Sequence, residues 1–233
     1  NTGDTTESLE LAVTSGFAAE AEGDTLAGDG TFHGVRAYGT VNGNGFTASG
    51  EGGALTRRVD IAPGGTSKLL VAMGFAETPE SAARRAERWH RDPAPLDRHR
   101  ETYQAWFDEN CPQFECSDPF ITKMYWYRWF VARHCLSRAK TGNLPHPYFF
   151  EGTHEGHFPR LIAFSSPHII TETRWLRDPR YAFGQARNHA LNADDEHRFF
   201  ISARIDSKGG EYNNWITRTT WDAFHVHPDV AFL

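Results

Sequence analysis

The sequence predicts a multi-domain α and β protein, with a partial β-sandwich first and helices after it. Three observations predict this. Short alternating runs fill residues 1–76, punctuated by most of the chain's 21 glycines. Composition then changes abruptly at Thr78-Pro79-Glu80, a helix start with threonine as N-cap and proline at the first helical position. From there apolar residues recur at helical spacing, and no convincing strand follows.

In the β region, residues 9–13 (LELAV) and 31–38 (TFHGVRAY) are the first alternating runs. Asn42-Gly43-Asn44-Gly45 is a hairpin cue, because asparagine and glycine tolerate the positive φ of tight hairpin turns. Phe46-Thr47-Ala48 follows it, and Ala54-Leu55-Thr56 follows Glu51-Gly52-Gly53. Residues 57–62 run into the turn Pro63-Gly64-Gly65, and residues 67–75 (SKLLVAMGF) close the set as a more fully buried strand. Short strands at this spacing predict a sandwich. The run is short for a complete one, so further strands are expected upstream.

In the first helix Ala82, Ala83, Ala86 and Trp89 recur at helical spacing, while Arg84, Arg85, Glu87 and Arg88 form a solvated face. Asp92-Pro93-Ala94-Pro95 breaks that helix, and Leu96, His99, Tyr103, Trp106 and Phe107 mark a second. Residues 77–110 are therefore expected to be a helical linker between a β domain at 1–76 and an α domain at 111–233. Asp118-Pro119 opens the strongest helix, expected over 120–138. Phe120, Met124, Tyr127, Val131 and Cys135 form one stripe of it, and Trp126, Trp129 and Phe130 occupy other faces. A helix apolar almost all round is expected to be buried on every side, as in the inner ring of a helical barrel or the centre of a bundle. Asp178-Pro179 starts a helix carrying Ala182, Phe183, Ala186 and Ala190, and a last helical pattern runs from Trp215 to Val230.

A net charge of −6 without any basic run excludes nucleic acid as an expected partner. No apolar run reaches the roughly 18 residues of a membrane helix, so no membrane partner is expected. The chain opens on NTGDTTESLEL and closes inside an apolar helical pattern at 229–233, so both ends read as cuts in a longer polypeptide. Cys111 and Cys116 can pair locally but lack the spacing of a redox pair or zinc knuckle, and Cys135 reads as a small buried residue.

Residues 145–179 mix aromatics, acids and histidines in one loop-plus-helix segment, with Phe149, Phe150, Phe158 and Trp175 among them. Ring faces beside carboxylates suit a sugar, whose C–H faces stack on aromatics and whose hydroxyl rim needs charged or amide partners. The competing reading is a long connection covered by its own aromatic side chains. Glycoside hydrolysis uses two carboxyls, about 5–5.5 Å apart for retention or roughly 6.5–9.5 Å for inversion. Glu151, Glu155, Glu172, Asp206 and Asp222 are the acids of the aromatic-rich loops. Glu151 is best placed, because its phenylalanine neighbours can lower its solvation and Gly152 permits close ligand approach. Glu172, beside Arg174, reads as a salt-bridged helix residue. Trp215, Arg218 and Trp221 form a second cluster, in which Arg218 can fork onto a carboxylate or two hydroxyls; core packing of both tryptophans is the alternative.

His154-Glu155-Gly156-His157 has its histidines at i and i+3, whereas the zinc-protease pattern needs i and i+4. His225 and His227 diverge on a helix, so the expected roles are a hydrogen bond into the cavity for one and capping or solvation for the other. No metal and no cofactor are expected. A GxSxG, a phosphate loop and a dinucleotide fingerprint are all missing from the sequence.

The order of IAPGGTSKLLVAMGFAETPESAARRA, FITKMYWYRWF, YFFEGTHEGHF, RWLRDPRYAFGQARNHALN and WITRTTWDAFHVHPDVAFL resembles the six-hairpin glycosidases. It is most similar to the trehalase-like and mannosylglycerate-hydrolase-like branch, over residues 55–233. The resemblance implies an N-terminal β-sandwich portion followed by the first helical hairpins of an (α/α)6 barrel, incomplete at 111–233. It implies a bacterial-type glycoside hydrolase acting by inversion on an oligosaccharide or small glycoside. Phe149-Phe150-Glu151 stands where the branch has an aromatic–aromatic–Asp loop, so the acid here has a longer arm. Asp178-Pro179 with Ala182 matches the "DP…A" helix, and the segment from Trp215 matches the later tryptophan segment. The general acid and base of the family lie in later hairpins and are expected beyond Leu233. The substrate-binding set expected here is Phe149, Phe150, Glu151, His154, Glu155, Trp215, Arg218, Trp221 and His225, with a carbohydrate as partner. A polysaccharide lyase of α/α architecture using the His-rich loop, and a non-catalytic carbohydrate-binding protein, are the rival readings. The sugar, the linkage and the compartment (bacterial cytoplasm, periplasm or outside the cell) stay open.

Overall fold

A computed structural model of the protein describes residues 1–14, 18–32, 35–43, 45–48, 53–138, 140, 142–152, 160–196, 201–204 and 207–229. An antiparallel sheet region comes first and helices follow. The chain divides into two units, Asn1–Arg98 and His99–Leu233.

The first unit holds strands β1 (Glu7–Thr14), β2 (Ala18–Glu22), β3 (Thr25–Phe32), β4 (Val35–Gly43), β5 (Thr47–Ala48), β6 (Ala54–Ile61) and β7 (Val71–Ala76). They form two sheets, ordered β1-β6-β5 and β2-β3-β4-β7. Register places Leu26 opposite Val41, so both point to one face, and there they meet Leu55 of the other sheet and Phe46. All four are buried, and Leu11, Val13, Ala19 and Ala21 pack around them. Each such side chain contributes about 1.5–3 kcal/mol by leaving water.

Helix α1 (Pro79–Arg91) starts as expected: Thr78 caps it, its side chain accepting from Ser81 N, and Pro79 occupies the first turn. Ala82 and Ala86 are fully buried against β7. The approach is close enough that a Cβ on Gly74 would stand 2.2 Å from the Ala82 carbonyl oxygen. Ala83, expected among the core-facing alanines, is exposed, because only the i, i+4 pair faces the sheet.

Three strand expectations need correction. Residues 31–38 are not one strand: Phe32 ends β3 and pairs with Val35, which opens β4. Alternation carries on through a two-residue connection, so pattern alone cannot see the reversal. The segment 42–45 does not join paired strands, since β4 pairs with β3 and β7 while β5 pairs with β6. The glycine-rich stretch instead carries the chain from one sheet to the other. Residues 67–75 are not a fully buried strand either: β7 is the last strand of its sheet, and Val71, Met73 and Phe75 are exposed.

The second unit contains most of α2 (Pro95–Asn110), followed by α3 (Pro119–His134), β8 (Leu136–Ser137), β9 (Tyr148–Phe149), α4 (Ser166–Thr173), α5 (Arg180–Asn192), β10 (Ile201–Ala203), β11 (Lys208–Glu211) and α6 (Ile216–Val226). The unit boundary at Arg98 and His99 falls within α2. Short strands therefore do occur after residue 78. The last helix stops at Val226; Val230 lies outside the described residues.

Asp118 caps α3 as the sequence predicts, its carboxylate accepting from Phe120 N at 2.8 Å. The helix ends at His134 rather than 138, where the chain turns into β8. It is not buried all round. Trp129 and Ala132 pack with Trp106, Phe149, Leu176 and Tyr181 in one core, whereas Phe120, Ile121, Met124, Tyr127 and Phe130 are exposed. A second core joins α4, α5 and α6 through Ile170, Ala182, Phe183, Ala186, Ile216 and Ala223. Among the described residues, no helix is long and apolar enough to cross a membrane.

Candidate functional site

The segment carrying Phe149-Phe150-Glu151 is held from both sides. Toward α3, β9 pairs with β8, and Phe150 N donates to Cys135 O at 3.0 Å. Toward α5, three buried amides grip the main chain. Gln185 accepts from Phe149 N at 2.8 Å and donates to Phe149 O at 3.2 Å. Asn188 does the same for His146, at 3.2 and 3.0 Å, and Asn192 donates to Asn143 O at 2.7 Å. Residues 185, 188 and 192 share one face of α5, and they meet residues spaced by three on the segment. Gly184 permits this contact, since a Cβ there would lie 2.3 Å from the Pro147 carbonyl oxygen. Buried polar groups are costly unless paired; here each amide is paired with backbone.

This clamp sets one wall of a cleft of about 220 Å³. One face of α3 contributes Arg128, Val131 and Ala132, and Cys135, the residue just past its end, continues that stripe. Ser165 and α4 contribute His168, Ile169, Glu172 and Thr173 on the opposite side, and Phe149, Phe150 and Glu151 close the cleft. Glu172 is a salt-bridged helix residue, as expected, but its partner is not the neighbouring Arg174. Arg128 forks onto both of its oxygens instead, with Nε–Oε1 at 3.0 Å and Nη2–Oε2 at 2.7 Å. Glu172 thereby raises the Arg128 pKa above its ordinary high value, chiefly through that hydrogen bond. Burial pushes the Cys135 thiol up, which disfavours the thiolate and a nucleophilic role.

A second, more open groove of about 740 Å³ lies along α6. Arg218, Trp221, Asp222 and His225 line it together with Arg174 and Trp175. Arg218 Nε donates to Asp222 Oδ1 at 3.0 Å, and Arg174 Nη1 stands 3.8 Å from Asp222 Oδ2.

The expected substrate-binding residues thus divide. Phe149, Phe150 and Glu151 line the cleft, although Phe149 is itself a core residue, only 2% exposed, and Glu151 remains exposed at the opening. Trp215 stands edge-on to His168, 4.7 Å between ring centroids, and so adjoins the cleft. Arg218, Trp221 and His225 belong to the groove. His154 and Glu155 lie outside the described residues, as does Asp206. Neither tryptophan of the second cluster is core: Trp215 is 42% exposed and Trp221 49%. His227, not His225, makes the inward bond, its Nε2 lying 2.8 Å from Arg174 O at the end of α6. Among the described residues, no cluster of histidine, cysteine and acidic side chains has the makings of a metal site.

Sequence reasoning missed Arg128 and His168. The available signal for Arg128 was a lone guanidinium among the rings of MYWYRWF. No family model matches the chain.

Proposed function

We propose that the protein is a carbohydrate-active enzyme of the glycoside hydrolase class, with the cleft as the contact site for one pyranose ring. The observation that carries this is the cleft's lining: half-buried apolar Phe150, Val131 and Ile169 beside the polar Glu151, His168 and Arg128–Glu172 pair. Such a lining complements a ring with C–H faces and equatorial hydroxyls. A volume of about 220 Å³, below the roughly 300–1,000 Å³ of ordinary ligand pockets, suits a single ring. In this reading Glu151 accepts hydroxyl hydrogen bonds. Glu172, with both oxygens engaged by Arg128, positions the rim and transfers no proton.

The finer architecture is part of the proposal. Two antiparallel sheets sharing a core are read as a β-sandwich, and the helices from α3 onward as the first hairpins of an (α/α)6 barrel. The exposed apolar stripe of α3 supports this, because a barrel helix buries such a stripe against neighbouring hairpins. Inversion, with a general acid and a general base carried on later hairpins, completes the reading.

Titration calorimetry with a panel of mono- and oligosaccharides tests the cleft. Glu151→Gln is expected to weaken the best ligand at least tenfold, which is about 1.4 kcal/mol. Unchanged affinity would remove Glu151 from the site. The reaction class is read from products: sugar release without ultraviolet absorbance supports hydrolysis. An absorbing, unsaturated product would move the protein to the lyases, and binding without release by a polypeptide that includes those later hairpins would make it a binding protein.

A further inference from the structure

We propose that the groove along α6 is a separate binding site for an oxyanion carried on a ring, such as a uronate or a phosphorylated sugar. Arg218, Trp221, Asp222 and His225 fall at i, i+3, i+4 and i+7, so they form one stripe of α6. The opposite face of the helix is its buried one, with Ile216, Thr219 and Ala223 in the interior. From the end of α4, Arg174 and Trp175 complete the groove.

Charge and shape both point to the ligand. Two guanidinium groups share one carboxylate, which leaves a formal positive charge unbalanced in the described lining. Asp222 holds one nitrogen of each arginine, and the outer nitrogens of Arg218 stay available on a side chain that is 75% exposed. Arg174 Nε is shielded from solvent and has no hydrogen-bond partner among the described residues. Guanidinium forks match carboxylate and phosphate geometry. The walls are rings: Arg174 lies over Trp175 at 5.0 Å, His225 stands edge-on to Trp221 at 4.9 Å, and each tryptophan is about half exposed, 52% and 49%. Trp221 is stacked on Phe224 at 5.5 Å and Trp175 is covered on one side by Arg174, so the exposed half of each ring is what a ligand meets beside the unbalanced charge. The site stands apart from the cleft and does not depend on its role.

Calorimetric titration with glucuronate, glucose 6-phosphate, glucose and inorganic phosphate is the test, on the intact protein and on Arg218→Gln and Trp221→Leu. At least one charged sugar should bind tenfold or more tightly than glucose, and the one that does identifies the oxyanion. Arg218→Gln should abolish that preference, and Trp221→Leu should weaken whichever charged sugar shows it. Equal binding of glucose and the charged sugars, or a preference that survives Arg218→Gln, would overturn the site. Inorganic phosphate binding as tightly as the sugar phosphate would overturn the ring requirement.

Discussion

His189 shows how one buried side chain ties stability to pH. It is fully buried on α5, with Nε2 2.7 Å from Ser166 Oγ. Backbone contact with Ile201 opposes the effect of burial only in part. Burial pulls its pKa down to about 4, from an ordinary value near 6.5. The unfolded chain therefore binds a proton in a window where the folded chain does not, so stability is full above the unfolded value and falls as pH drops toward 4. Between about pH 7.5 and about pH 5 the loss expected from this residue is roughly 2 kcal/mol. Urea unfolding at the two pH values reads it, and His189→Gln should flatten the difference. At this scale the caps were legible: Thr78 and Asp118 are short polar side chains before proline, a local chemical signal. The partner of Glu172 was not, because Arg128 lies 44 positions away in sequence and only the fold brings α3 and α4 to the two sides of one cleft.

Among the elements, α5 organises the second unit through its row of amides. Gly184→Ala would drive a Cβ into the Pro147 carbonyl, and a loss of about 1–3 kcal/mol is expected from the forced shift. Gln185→Leu should cost about as much, since Phe149 N and O would lose their partners inside the core. Hydrogen exchange at the Phe149 amide checks both: protection should fall in each variant, and protection retained in Gln185→Leu would mean the amide does not hold the segment. The existence of α5 could be read from Asp178-Pro179 and the spacing of Ala182, Phe183 and Ala186. Its clamp could not, because Gln185, Asn188 and Asn192 look like solvated residues until the face they share is known to be buried. The same limit applies to α3, whose rings are apolar all round, so periodicity could not say which face the core would take.

For the whole chain, each unit has its own core: Leu26, Val41, Phe46 and Leu55 in the first, and the clusters around Trp129 and Ile170 in the second. Leu26→Ala and Ile170→Ala should each cost about 2–5 kcal/mol. In calorimetry each is expected to lower a different transition; a common shift of a single transition would mean the units unfold together. The order of sheet region before helices was legible because glycine content and helical periodicity change at one place, near Thr78. Which depression each aromatic–charged cluster lines was not, since that depends on α4 lying between the cleft and the groove. The grip of α5 on peptide groups also bears on how this protein can change over time. Pro145 and Glu151 are not recognised by their side chains in that grip, so their identities can drift, or be randomised in a library, while the strip stays in register. New ligand preferences can then arise by exchanging those side chains, with the scaffold that presents them left untouched.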